Sequence, residues 1–237
     1  MKTILVGYGE VGSGVYEVLS KVHDVAIEDP FKGHNAPADT GCDFLLIAIP
    51  YYEKFIDIVK RYQERFLPEK ATIIFSTVPI GTSRKLGAVH SPIEGRHDNM
   101  AESFRTFQRW IGGVSEETDL AVLHFFEAVG LNVCVTRMSE TTEFMKLQSL
   151  AHYGIEVQWE RDCKEMADQI GFDYNILKNY NQDYNYLVRM NGQPEYQRPL
   201  MNHTEGKIGG HCVLLGMKLL QASMGNPFVG RVLDLNE

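Results

Sequence analysis

Three sets of residues in this sequence are of types, and at spacings, that could do chemistry. The first is GYGEVG, in which Gly7, Gly9 and Gly12 follow the apolar run TILVG (3–7) and open a helical pattern. Glycines at this spacing permit a tight turn, let a pyrophosphate approach the backbone and allow close packing of the next helix, whose N-terminus favours phosphate charge. Asp29, 17 positions after Gly12, ends the next apolar segment. It would accept hydrogen bonds from ribose hydroxyls and repel a 2'-phosphate, which points to NAD over NADP; the bland alternative is that it only starts the turn EDP. The candidate cofactor residues are Gly7, Tyr8, Gly9, Glu10, Val11, Gly12 and Asp29, with Pro50 at the end of a later strand. The second set surrounds Cys212 in EGKIGGHCVLLGMKLL. Gly209 and Gly210 remove side chains that would block a ligand, so Cys212 is either a nucleophile on a tight turn or a small apolar residue at a helix start. The third is Lys146 on an otherwise apolar helix, either a solvated residue or a cation beside a reacting oxygen. Arg96 and His97 follow a strand end, where open α/β sheets bind ligands, and are candidate anion holders. His203, His211 and Cys212 have no second pair at zinc-ligand spacing, so no metal is expected.

These residues need elements to position them. Strand-like TILVG, DVAIED (24–29), CDFLLIAIP (42–50), ATIIF (71–75) and AVHSPI (88–93) alternate with helical patterns near 12–22 and 53–66, which predicts a parallel sheet. Helices follow at about 100–110 and 116–129, the latter capped by Ser115 and stopped by Gly130, and NVCVT (132–136) closes the sheet. The pattern then changes. From Ser139, with Glu140 and Glu143 in its first turn, apolar residues recur at helical spacing from Phe144 to Ile170, which predicts one long helix. Asp173 can cap another helix, and the remainder reads as helices joined by NGQPEYQRP (191–199). The expected organisation is an NAD-binding domain over 1–137 and a helical dimerisation and substrate domain over 138–237. A helix of about 30 residues spans roughly 45 Å and carries a longer apolar stripe than so small a domain can cover, which predicts a homodimer.

With 237 residues, 44% hydrophobic and 23% charged, the chain can bury a real core. Its net charge of -8 and lack of a Lys/Arg cluster argue against a nucleic-acid surface. Apolar runs such as FLLIAI are too short to span a membrane, and Met1 leads directly into a strand-like segment, so a cytoplasmic protein is expected. Cys42, Cys134, Cys163 and Cys212 form no CxxC pair, which fits a reducing compartment.

STVPIGT (76–82), SPIEG (91–95), EFMKLQSLAHYGIEVQWERDCKEMADQIGFD (143–173) and GKIGGHC (206–212) occur in the order seen in the UDP-glucose/GDP-mannose dehydrogenases. Over nearly its full length the chain resembles their NAD domain and central helical domain. The third stretch also resembles the related β-hydroxyacid and 6-phosphogluconate dehydrogenases. The resemblance implies a Rossmann-type parallel sheet followed by an all-helical domain on a long connecting helix. It further implies an NAD-dependent oxidoreductase acting on a CH–OH group of a sugar-like or small anionic substrate, without the family's nucleotide-binding C-terminal domain. Cys212 stands where the family's cysteine traps an aldehyde as a thiohemiacetal, and Lys146 matches the helix lysine at the reacting hydroxyl. Thr77 falls near the cofactor, and Glu94 approximates the glutamate after the family's Ser/Asn-Pro. Leu150 and Gly216 stand where the family carries asparagine and aspartate. Three readings therefore remain open: four-electron oxidation through Cys212, a two-electron hydroxyacid-type reaction using Lys146 with Cys212 inert, and a non-catalytic NAD-binding module.

Overall fold

A computed structural model describes residues 1–37, 41–95, 97–202, 205–208 and 211–237, with the backbone alone for His97 and His211. The chain divides into two compact units, Met1–Leu147 and Gln148–Glu237.

The first unit is built on a seven-stranded sheet in the order β2-β1-β3-β4-β5-β6-β7. Its strands are β1 (Lys2–Val6), β2 (Asp24–Glu28), β3 (Cys42–Ile47), β4 (Pro68–Ile74), β5 (Val89–His90), β6 (Arg109–Gly112) and β7 (Val133–Thr136). The central strands are apolar at nearly every position because both faces are covered. Leu5, Phe44, Leu46 and Ile73 face one buried cluster, while Ile4, Val6, Leu45, Ile47 and Ile74 face the other. Helix α1 (Glu10–Leu19) sends Val15, Val18 and Leu19 into the first cluster, and α2 (Phe55–Phe66) sends Phe55, Val59 and Phe66 into the second. The short α3 (Thr82–Lys85) follows β4, and α4 (Met100–Thr106) and α5 (Glu116–Glu127) complete the cover.

The sheet is not wholly parallel. β6 runs antiparallel to β5 and parallel to β7. The sequence expectation of a helix over 100–110 is corrected here: α4 ends at Thr106, Phe107 turns to extended backbone, and Arg109–Gly112 enters the sheet. A four-residue strand has no period of its own, and its partner Val133–Thr136 lies far along the chain. The reversal matters because it brings the N-terminal end of β6 to the edge where the C-terminal ends of β1 to β5 converge.

Helix α6 (Ser139–Ile170) is continuous over 32 residues. In the second unit it is followed by α7 (Tyr174–Met190), α8 (His211–Met224) and α9 (Pro227–Leu235). Asp173 caps α7 by accepting from the Asn175 amide, as its position predicted, and Asn226 caps α9. Close packing within this unit depends on glycines: a Cβ on Gly154 would lie 2.4 Å from Met217 Sδ. The Asn185 carboxamide holds the 191–199 stretch through both Arg198 N at 2.7 Å and Arg198 O at 2.8 Å. Among the described residues no helix is long and apolar enough to cross a membrane.

Candidate functional site

Strands β2 and β3 flank β1, so successive crossovers leave β1 in opposite directions and a crevice opens at its C-terminal end. GYGEVG lies there, and its three glycines do different things. Gly7 has φ +92° and a Cβ on it would lie 2.5 Å from Ala48 O, so strand β3 leaves no room for a side chain. A Cβ on Gly12 would lie 2.0 Å from Gly7 O. Gly9, which caps α1, has nothing within 4 Å of its would-be Cβ. The backbone is thus packed behind Gly7 and Gly12 and open in front of Gly9, as an approaching phosphate requires.

Asp29 stands at the end of β2, and its Oδ2 accepts from the Tyr8 amide at 2.9 Å. Lys32 Nζ donates to Tyr8 O at 2.7 Å. Glu10 is exposed, Val11 packs partly against the core, and Pro50 is exposed beyond β3. Half-buried Thr77 follows Ser76, whose hydroxyl donates to Ile49 O at 2.6 Å and so joins the β3 and β4 ends.

A second group gathers where the β4 and β5 ends meet the first turns of α6. Glu143 is fully buried. Its carboxylate accepts from Gly81 N at 2.5 Å and Ser83 N at 2.7 Å, so it ties α6 to the STVPIGT loop and does more than complement its own helix. Burial pushes its pKa upward, opposed by these hydrogen bonds. His90 is also fully buried, with Nε2 3.3 Å from Ser76 O and Nδ1 2.9 Å from Thr142 Oγ1. A carbonyl can only accept, which puts a ring proton on Nε2, while Nδ1 shares the Thr142 hydroxyl with Ser139 O, 3.0 Å from that hydroxyl. Burial brings the His90 pKa down to about 3, so the ring is neutral at physiological pH.

One turn further, Lys146 Nζ donates to Ile93 O at 2.6 Å and lies 3.4 Å from Glu94 Oε2. The lysine side chain is 14% exposed and the glutamate 34%. Beneath this loop lies Arg109, wholly buried, with Nη1 3.3 Å from Pro92 O and the guanidinium 4.9 Å from the Phe104 ring centroid. Burial lowers its pKa to about 10, opposed by the charge of Glu94, so it remains a cation at neutral pH. The Pro92–Glu94 segment is therefore held by two cations, Arg109 on the Pro92 carbonyl and Lys146 on the Ile93 carbonyl and the Glu94 carboxylate. An ammonium in that position can stabilise negative charge developing on an alcohol oxygen, and the adjacent carboxylate can exchange a proton with it.

Sequence reasoning named Glu94 and Lys146, and the structure brings them together. It missed His90, Thr142, Glu143 and Arg109. A signal for two of these was present, since Ser139, Thr142, Glu143 and Lys146 form a polar stripe at helical spacing.

Cys212 belongs to the second unit and is half-buried in the first turn of α8. Gly209, Gly210, Arg96 and His203 lie outside the described residues. Leu150 and Gly216, from α6 and α8, pack directly against one another: a Cβ on Gly216 would lie 2.5 Å from Leu150 Cδ1.

No protein-family model matches the chain, and no curated protein sequence matches it. Solved structures do match. A UDP-D-ManNAc dehydrogenase from Pyrococcus horikoshii aligns with 100% of this chain and 68% of its own, at 14% identity and a TM-score of 0.77. A UDP-glucose dehydrogenase from Pyrobaculum islandicum aligns with 99% of this chain and 68% of its own, at 16% identity and a TM-score of 0.75. A 3-hydroxyisobutyrate dehydrogenase from Mycobacterium tuberculosis aligns with 100% of this chain and 92% of its own, at 14% identity and a TM-score of 0.70. From end to end, the chain has the fold that these nucleotide-sugar and hydroxyacid dehydrogenases share, a Rossmann-like sheet followed by helices.

Proposed function

We propose that this chain is an NAD-dependent oxidoreductase that converts a CH–OH group of a sugar-like or small anionic substrate to a carbonyl. The observation that carries the reading is the convergence on one sheet edge of a glycine turn left open only at Gly9 and an ammonium, Lys146, anchored between Ile93 O and Glu94. Bound along the turn, NAD would take up the hydride. The chain's own part is to orient the alcohol, to stabilise its oxygen as charge develops, and to relay its proton: the Lys146 ammonium gives one proton to the Glu94 carboxylate as its nitrogen takes up that of the hydroxyl. Asp29 supports NAD over NADP, because its carboxylate is fixed at the end of β2 where a 2'-phosphate would meet like charge. Calorimetry should find NADH binding at least about tenfold more tightly than NADPH, roughly 1.4 kcal/mol, with Asp29→Ala narrowing that gap. Equal affinities in the parent protein would overturn the assignment.

The contact between Leu150 and Gly216 favours a two-electron reaction over a four-electron one. It puts an apolar seam where the nucleotide-sugar dehydrogenase resemblance implies a polar pair to assist the covalent stage. Under this reading Cys212→Ser leaves both turnover and the carbonyl product unchanged. A parent that yields a carboxylate, with a serine variant that stalls before it, would restore the thiohemiacetal route.

The second unit leaves Ile176, Tyr180, Leu187 and Met190 of α7 exposed by 58–67%, with Trp159 and Ile170 of α6 at 58% and 76%. An apolar surface of this kind supports a homodimer built on these helices. Light scattering at micromolar concentration should return twice the chain mass, and a monomer would contradict the reading.

A further inference from the structure

We propose that Phe31 is the platform on which the adenine of the dinucleotide stacks, so that the base is held by ring contact rather than read by hydrogen bonds. This rests on the NAD reading and extends it to a residue that the glycine motif does not contain. Phe31 is 103% exposed, so none of the described residues covers it. Phenylalanine is among the residues most often buried, and here it is displayed on a turn with little freedom to hide it.

Pro30, Phe31 and Lys32 form one 3-10 turn closed by Gly33 at φ +78°. Asp29 and His34 exchange two backbone hydrogen bonds, of 2.8 and 3.0 Å, across its base. Lys32 Nζ ties it to Tyr8 O at 2.7 Å, and the Tyr8 and His34 rings meet edge to face at 5.0 Å. The turn is thus fastened to the loop that would hold the pyrophosphate. Phe31 is two residues from the carboxylate that would hold the ribose, at most about 7 Å of backbone, which puts its ring within reach of a base that leaves the sugar. The neighbours Pro30, Lys32, Gly33 and Asn35 are exposed and small or polar. A single ring among such residues suits one planar base and is too small an apolar area for a protein partner.

Stacking is tolerant of base identity because every base has a π-face, and its loss on alanine substitution corresponds to roughly 5- to 150-fold in affinity. Titrations of NADH followed by its own fluorescence would test the proposal on the parent, Phe31→Ala and Phe31→Trp proteins. Reduced nicotinamide mononucleotide, which lacks adenine, and the hypoxanthine analogue of NADH serve as companion ligands. Phe31→Ala should weaken NADH at least about fivefold, Phe31→Trp should stay within about twofold of the parent, and the hypoxanthine analogue should bind the parent about as well as NADH. The mononucleotide should bind all three proteins alike. Unchanged NADH affinity in Phe31→Ala would overturn the platform while leaving the cofactor reading intact. An equal loss for the mononucleotide would also overturn it, because the turn and not the base contact would then be responsible. Failure of the parent to bind NADH at all would instead remove the cofactor reading, and the platform with it.

Discussion

Lys146→Ala is expected to lower kcat/KM by about 10²- to 10³-fold, equivalent to about 3–4 kcal/mol of lost transition-state stabilisation, with NADH affinity preserved. The reason is geometric. Nζ is already placed by Ile93 O at 2.6 Å and by the Glu94 carboxylate at 3.4 Å, so little reorganisation is needed when an alcohol oxygen begins to carry charge. Because the side chain is 14% exposed, its surroundings screen that charge less than water would. Lys146→Arg should recover only part of the activity, since a guanidinium keeps the positive charge but cannot release a proton to Glu94. The measurement is NADH formation with a panel of hydroxyacids and sugar derivatives, alongside NADH titration and thermal unfolding of each variant. Turnover by Lys146→Ala equal to that of the parent would remove the lysine from the chemistry.

The glycine turn yields the second large effect, and it divides in two. Gly12→Ala places a Cβ 2.0 Å from Gly7 O and 2.9 Å from Gly7 C, backbone atoms that cannot swing aside as the end of a side chain could. The loop must deform, so the variant should lose about 3 kcal/mol of stability or more, read from its urea midpoint. Gly9→Ala meets nothing within 4 Å, and its backbone at φ -78° suits alanine. Its stability should stay within about 0.5 kcal/mol of the parent. Yet the new methyl group would occupy the open face that a pyrophosphate must approach, so NADH binding should fall at least about tenfold. A Gly9→Ala protein that binds NADH normally would show that this face is not the phosphate site. A Gly12→Ala protein as stable as the parent would show that the turn relaxes more easily than its packing implies.

How far the sequence reached depended on the range of the interaction concerned. The glycine turn was legible because Gly7, Gly9, Gly12 and the start of α1 are neighbours in the chain, and backbone sterics act over a few residues. The central strands were legible because a parallel sheet covered on both faces leaves unbroken apolar runs such as FLLI (44–47). The long α6 was legible because its period persists over many turns.

The tertiary structure decided the rest. β6 is held by pairing with β5 and β7, and four residues such as RWIG carry no pattern that separates the end of a helix from a strand. Glu143 reads locally as an acid at a helix start, but its partners Gly81 and Ser83 are 62 and 60 positions away. His90 finds Thr142 across 52 positions, and Lys146 finds Ile93 across 53. Leu150 and Gly216 read separately as two departures from a resemblance, and only packing makes them one contact. The sequence by itself determined the turn, the apolar strands and the long helix, because each follows from torsions and periodicity within a short window. Which polar groups meet at the sheet edge, and which cations hold the Pro92–Glu94 loop, only the folded chain decided, because hydrogen bonds and charges act between whatever groups folding brings together, however far apart they stand in sequence.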